Sequence, residues 1–390
     1  LGNVYKTKVG GEYRGGPAFY IERGLKSPIF AIVFAIVSII SNAITGPTIQ
    51  AYNVAESFKT AWGVDPIITA VVLTGIFALV ALGGMKRIGK FAQYVVPFMA
   101  LAYIAIAIIV LLANITRIGP MFKLIFSCAF NLNAVFGAIW GQSFMWGIKR
   151  GIFSNEAGFG TGAHAAASAE VSHPVKQGLA QSFSVYIDTL FVCTATGIMI
   201  LSTGMYNVQN LAGDGYIVEN IHGVDHGVGY TQAAIDSLIP GTGSGFVAIA
   251  IFFFSITTLL AFAFNTDAGM SYIFRKKSRR TQKIAINSVL IAMVAITFFG
   301  SMTSTTVAWN IADMGTAILA WVNLPAIILL SPKVIKIFRD YDRQRKMGLD
   351  PVFEPSKLGI DNAEIWDEIV AEKYSDLLEL KREAERKTNL

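Results

Sequence analysis

Five polar residues sit where an apolar chain tolerates them least. Gln50, Glu156, Asp188, Thr257 and Thr258 each lie within or beside a long apolar run. A side-chain amide such as Gln50 donates to a carboxylate and accepts from an ammonium. A carboxylate in apolar surroundings needs a partner or a cation. Adjacent hydroxyls, as in Ser255-Ile256-Thr257-Thr258, offer the neutral oxygen ligands that hard cations prefer, although Ser and Thr also bond back onto their own helix. These are the chemistries of binding, and none of them implies a covalent step.

The stretch that must position them is Trp140–His164, WGQSFMWGIKRGIFSNEAGFGTGAH. It begins as an apolar helix and then breaks into Gly147, Gly151, Gly158, Gly160 and Gly162, with Lys149, Arg150, Asn155 and Glu156 between them. Lipid does not accept unsatisfied backbone, so the break must be buried in protein or line a watery cavity. Transporters hold solutes and ions at such discontinuous helices. Two readings of Glu156 stay open: a direct role, or an ion pair with Lys149 or Arg150. Asp188 either ligates a cation or hydrogen-bonds an unwound neighbour such as Asn155. Gly46-Pro47 loosens the helix carrying Gln50, because Pro removes a donor and crowds the preceding turn; Asn42, Thr45, Thr48, Asn53 and Glu56 accompany it. Asn310, Asp313 and Asn323 of the last apolar run read as packing groups. GFGTG mimics half of a dinucleotide fingerprint, but no strand precedes it, which excludes that reading.

The surrounding elements follow from composition. The chain has 390 residues, 53% hydrophobic and 15% charged, with a mean hydropathy of +0.52. Soluble domains carry about 25% charge, so this is a membrane protein, expected as an all-α polytopic helix bundle. Eight candidate spans lie near 28–58, 66–85, 88–113, 131–148 with a broken continuation to 167, 175–204, 245–274, 283–302 and 308–331. Every second connection is basic, and RKKSRRTQK at Arg275–Lys283 is the strongest. Positive loops stay in the cytoplasm, so both the N-terminal segment and the C-terminal tail are expected there, in a multi-pass plasma-membrane protein. The net charge of +6 therefore reports topology and not nucleic-acid binding. Cys128 and Cys193 imply neither a disulfide nor a metal site. His222, Asp225 and His226 read as a solvated loop rather than a metal centre. Residues 1–333 form the transmembrane unit; residues 334–390 are expected as a cytoplasmic tail with a solvated amphipathic helix over Asn362–Arg386.

RGGPAFYIERGL (Arg14–Leu25), GGMKRIGK with VVPFMALAYI (Gly83–Ile104), MWGIKRGIFSNEAGFGTG (Met145–Gly162) and WNIAD…NL…LLS (Trp309–Ser331) together resemble the alanine or glycine:cation symporter family. The resemblance implies a leucine-transporter-like fold of two inverted repeats, each opened by a discontinuous helix. It implies symport of a small neutral amino acid with Na⁺, or in some members H⁺, and no organic cofactor. By resemblance, the broken helix corresponds to the second discontinuous helix. Gln50 matches a substrate-facing position, and Thr257 and Thr258 match a hydroxyl pair that holds sodium. The expected substrate set is Gln50, Trp146, Gly147, Gly151 and Asn155; the ion set is Thr257 and Thr258; Glu156 and Asp188 support them. The family's first discontinuous helix precedes the matched region, so the chain is expected to lack its N-terminal helices. The family's aromatic stretch after the hydroxyl pair is replaced here by LLAFAFNTDAGMSY (Leu259–Tyr272), so the wall beside the site is expected to differ. A monomer in a lipid bilayer is expected. The rival readings are an ion channel, which needs a symmetric ring of carbonyls or charges, a membrane enzyme, and an inactive truncated transporter.

Overall fold

The computed structural model describes residues 1–9, 11–83, 85–130, 136–210, 215–224 and 226–388. Two short strands, β1 (Thr7–Val9) and β2 (Glu12–Arg14), form a hairpin ahead of helix α1 (Pro17–Leu25). There follow α2 (Pro28–Ile40), α3 (Gly46–Trp62), α4 (Pro66–Ala81), α5 (Met85–Ala113) and α6 (Ile115–Phe130). Next come α7 (Phe136–Asn155), α8 (Thr161–Ser168), α9 (Pro174–Tyr186) and α10 (Thr194–Thr203). A second hairpin, β3 (Asn207–Gln209) with β4 (Tyr216–Glu219), precedes α11 (Val228–Asp236). The chain continues through α12 (Gly243–Ile273), α13 (Arg279–Gly300), α14 (Thr305–Lys346), α15 (Ile365–Lys373) and α16 (Ser375–Thr388).

Local chemistry sets these boundaries. Proline opens α1, α2, α4 and α9, where its missing N–H costs nothing. Asp65 caps α4 by accepting from the Ile67 amide at 2.8 Å. Gly63, with φ of 66°, ends α3. Six helical stretches among the described residues are long and apolar enough to cross a membrane: 28–62, 93–113, 174–203, 243–273, 279–300 and 305–346. Helix α4 is a shorter apolar helix. The start of the expected fourth span, 131–135, lies outside the described residues, as do Gly84 and Asp225. Large apolar side chains face outward along these helices, Trp321 being 81% exposed, as a lipid-facing surface requires. The segment expected as a plain connection over 114–130 is largely helical.

Two helices are not regular. Residues Ser41–Thr45 join α2 to α3 as a π-helical turn, in which the Gly46 amide reaches back to the Ser41 carbonyl. Pro47 lies just beyond, where the sequence anticipates a loosened helix. A second π-helical segment, Ile187–Cys193, joins α9 to α10 and carries Asp188. Helices α3 and α12 form the most extensive pair in the bundle. Ala51, Val54, Ile256, Leu259 and Leu260 of this pair share a core with Leu73 and Phe77 of α4 and Leu290 and Met293 of α13.

The tail departs from expectation. Its helical segment is two helices, α15 and α16, and not one solvated rod. Val352, Phe353, Trp366, Ile369 and Val370 are buried with Val4, Tyr5 and the Phe19–Ile21 face of α1. The Trp366 indole donates to the Asn3 and Val4 carbonyls at 3.2 and 3.1 Å. Lys6 is buried beneath this cap, donates to the Ala169 carbonyl at 3.2 Å, and lies over the Trp366 ring at 4.6 Å. The amphipathic pattern was visible; its partner, an apolar segment over 360 residues earlier in the chain, was not.

Burial pushes the Lys6 ammonium down from its ordinary 10.5 to about 8. The folded value lies below the unfolded one, so the unfolded chain binds more protons in this window and stability rises with pH between about 8 and 10.5. The thermal midpoint in detergent is expected to climb across that window relative to Lys6→Met; parallel profiles would show that Lys6 is hydrated.

Candidate functional site

Helix α7 runs regularly through Gly147 and Gly151 and ends at Asn155. The break is shorter than the glycine pattern implies and covers residues 156–160. Glu156, Gly158 and Gly160 have φ of 54°, 89° and 87°, a left-handed conformation that costs glycine little and glutamate more. Chain direction resumes in α8. The exposed backbone is met from outside: Asn323 Nδ2 of α14 donates to the Gly158 carbonyl at 2.8 Å, and the Tyr20 hydroxyl of α1 donates to Asn323 Oδ1. Asn323, expected as a packing group, therefore satisfies a carbonyl of the break, and Asn155 Oδ1 accepts from the Ala157 amide at 3.0 Å. Gly160 is obligatory here, since a Cβ would meet Pro17 Cγ at 2.4 Å.

A cavity of about 300 Å³ lies beside the break, between the π-helical turn, α3, α12 and α14. Of the sequence-derived set it brings together Gln50, Glu156 and Thr258; Asn42, Thr45, Thr161 and Thr316 join them. Its polar lining has a definite sense. Thr45 donates its hydroxyl proton to the Ser41 carbonyl (2.9 Å), Thr258 to Phe254 (2.9 Å) and Thr316 to Ala312 (3.1 Å). With those protons committed, the three hydroxyls have only oxygen lone pairs to offer. Thr161 donates to the Glu156 carboxylate. Asn42 is held between Ser38 and Asn265, at 2.8 and 3.1 Å. The Gln50 amide has no protein partner among the described residues and keeps its two donors free. The wall is thus rich in acceptors, suited to an ammonium or a hard cation, with a free amide suited to a carboxylate.

The remaining expected residues lie elsewhere. Gly147 and Gly151 belong to the unbroken part of α7 and line neither this cavity nor the neighbouring one; Trp146 is 43% exposed and also lines neither. Thr257 is not part of the lining; its hydroxyl donates to the Phe253 and Phe254 carbonyls at 3.1 and 2.9 Å. Helical geometry separates it from Thr258 by about 100° around α12, so an adjacent pair cannot both face one cavity squarely. Asn155 and Asp188 line a larger hollow of about 590 Å³ on the other side of the break, which shares Ser154 and Glu156 with the smaller cavity. Asp188 accepts from the Ser154 hydroxyl, 2.9 Å from either oxygen, and Asn155 donates instead to Thr189 Oγ1 at 3.2 Å. The partner anticipated for Asp188 was one residue off.

Glu156 pairs with neither Lys149 nor Arg150. Both cations converge on Asp313 of α14: Lys149 Nζ at 2.7 Å, and Arg150 Nη2 at 2.7 and 2.8 Å from the two carboxylate oxygens. The Arg150 guanidinium also lies 4.8 Å from the Trp309 ring centre and 5.3 Å from that of Phe153. Phe153, Ala312 and Thr316 line the cavity, so this cluster borders it and ties α7 to α14. At the other end of the bundle Arg14 pairs with Asp267 of α12, and Arg275 with Glu22 of α1 at 2.6 Å. His222, in the loop after β4, lies 3.0 Å from Glu219 and is 84% exposed, as a solvated loop would be.

A bundle of membrane-length helices, one interrupted beside an acceptor-lined cavity, defines a polytopic membrane transporter. The model of the sodium:alanine symporter family matches residues 1–355, and the chain belongs to that family, whose members are transporters and not enzymes. It is 47% identical to the putative sodium/proton-dependent alanine carrier protein YrbD of Bacillus subtilis, over 94% of this chain and 75% of that protein. It is 36% identical to the sodium/alanine symporter AgcS of Methanococcus maripaludis, over 86% of this chain and 71% of that protein. It is 35% identical to the probable sodium/glutamine symporter GlnT of Bacillus subtilis, over 94% and 73%.

Gly160→Ala forces a Cβ into a left-handed residue and against Pro17. It is expected to cost about 2 kcal/mol or more, read as a lowered thermal midpoint in detergent. An unchanged midpoint would place the essential break elsewhere.

Proposed function

We propose that this protein is a secondary active transporter that carries a small neutral amino acid across the plasma membrane together with a cation, Na⁺ in the first instance. The observation that carries the reading is the acceptor-rich cavity at the break, with Gln50 as its free amide. A zwitterion needs acceptors around its ammonium and donors at its carboxylate, and here both are present in a volume of about 300 Å³. Family membership and relatives named as alanine carriers support it, and another relative is named as a probable sodium/glutamine symporter. The alternating basic connections support placing both ends in the cytoplasm.

In this mechanism Gln50 holds the carboxylate of the amino acid, and the hydroxyl oxygens and the Glu156 region receive its ammonium. Thr258 contributes an oxygen to the cation. Symport requires that substrate and ion favour the same conformation, so that each raises the affinity for the other. Helices α7 and α8 then rock against the α3–α12 scaffold, with the Asp313 cluster holding one side and the Arg14–Asp267 pair the other. A channel would leave both sides open at once; paired ionic ties on the two sides of one cavity favour the carrier.

The test is uptake of labelled alanine, glycine and glutamine into proteoliposomes. Expected is saturable uptake of alanine or glycine that an inward Na⁺ gradient accelerates. Gradient-independent, non-saturating flux would overturn the reading. Gln50→Ala should lower uptake at least about tenfold, the size of a lost hydrogen bond to a charged group. Thr258→Val should raise the Na⁺ concentration for half-maximal uptake; an unaltered Na⁺ dependence would remove Thr258 from the ion site.

A further inference from the structure

Helix α14 continues well beyond the apolar part of its span and changes character as it does so. Val334, Ile335 and Phe338 remain about half exposed. Lys336 and Arg339 follow Ile335 and Phe338 by one residue each, about 100° around the helix. An apolar stripe and a cationic stripe therefore run side by side where the sequence of α14 turns from apolar to charged. The cationic stripe opens into a groove of about 1030 Å³ between α14, the 354–358 turn and α16.

Six basic and four acidic side chains line that groove. The acids are occupied. Arg343 holds Asp340 at 2.8 Å, Lys346 holds Asp342 at 2.7 Å, Lys381 holds Glu354 at 2.8 Å, and Lys357 holds Glu385 at 3.2 Å. Two cations are left over, Lys336 and Arg339, and neither has a carboxylate partner among the described residues. They are three residues apart and so lie on one face of α14. Lys333, the preceding cation, is already engaged by the Gly24 carbonyl at 2.9 Å.

We propose that this groove is a binding site for the phosphate headgroup of an anionic phospholipid, with Lys336 and Arg339 as its ligands and the Ile335–Phe338 stripe as the bed for an acyl chain. A soluble phosphate would use the cations but gain nothing from the apolar stripe; a phospholipid uses both. Basic side chains at a membrane surface attract anionic lipid by about 1 kcal/mol each, or about fivefold in affinity. Because α16 forms the far wall of the groove, a bound headgroup would also tie the tail to the bilayer.

The test is native mass spectrometry of the purified protein titrated with phosphatidylglycerol or phosphatidylcholine in detergent. Wild-type protein is expected to retain phosphatidylglycerol in preference to phosphatidylcholine. Lys336→Ala with Arg339→Ala should lower phosphatidylglycerol affinity on the order of thirtyfold, with the thermal midpoint unchanged, since both side chains are exposed and unpaired. Ile335→Ser with Phe338→Ser should weaken phosphatidylglycerol while leaving the cations in place. An undiminished preference in the double alanine variant would overturn the site. Displacement of phosphatidylglycerol by millimolar inorganic phosphate, or indifference to the double serine variant, would overturn its assignment to lipid.

Discussion

A peptide group inside a bilayer has nowhere to find a hydrogen bond except within the protein. At residues 156–160 the chain leaves its helix and accepts that obligation. Asn323, on another helix, meets the Gly158 carbonyl, and Tyr20 of a third helix holds Asn323 in place. The break is therefore a joint between α7–α8, α14 and α1. It exists only while those three elements are in register. This couples the local geometry of one pentapeptide to the arrangement of the bundle.

The chemistry of the adjacent cavity follows from a second constraint of the same kind. Threonine hydroxyls within helices give their protons to the preceding turn, and at Thr45, Thr258 and Thr316 this turns neutral side chains into obligate acceptors. Three helices thereby present oxygen toward one space without burying three charges. The cationic groups Lys149 and Arg150 are held away from that space by Asp313 and by the rings of Trp309 and Phe153. Charge is neutralised at the edge of the cavity and lone pairs are gathered in its middle.

The membrane class, the helical architecture and the existence of an interruption after Arg150 were readable from the chain, because hydropathy, basic connections and clustered glycines report on one-dimensional constraints. The interruption's position was less so. Five glycines mark the stretch, yet only Gly158 and Gly160 take left-handed conformations, and which glycines do so depends on Pro17 and Asn323, far away in sequence. Gln50 and Thr258 stand out by polarity within an apolar run, whereas it is the helix phase that brings Thr258, and not Thr257, to the cavity wall. Asp313 looked like a packing group because its two partners lie over 160 residues earlier. The π-helical segment around Asp188 carries no glycine or proline to announce it, since a widened turn asks for one extra residue and no special one.

The cap formed by Trp366 over Asn3 and Val4 has a consequence for biogenesis. Each span can be threaded into the bilayer as it emerges from the ribosome, but residues 3 and 4 must wait for residue 366 before their carbonyls find the indole. Until then α1 is packed by α2, α12 and α14, and the part of its apolar face that Trp366, Ile369 and Val370 cover stays open. The spans can assemble in order, whereas this contact waits on a closure across more than 360 residues.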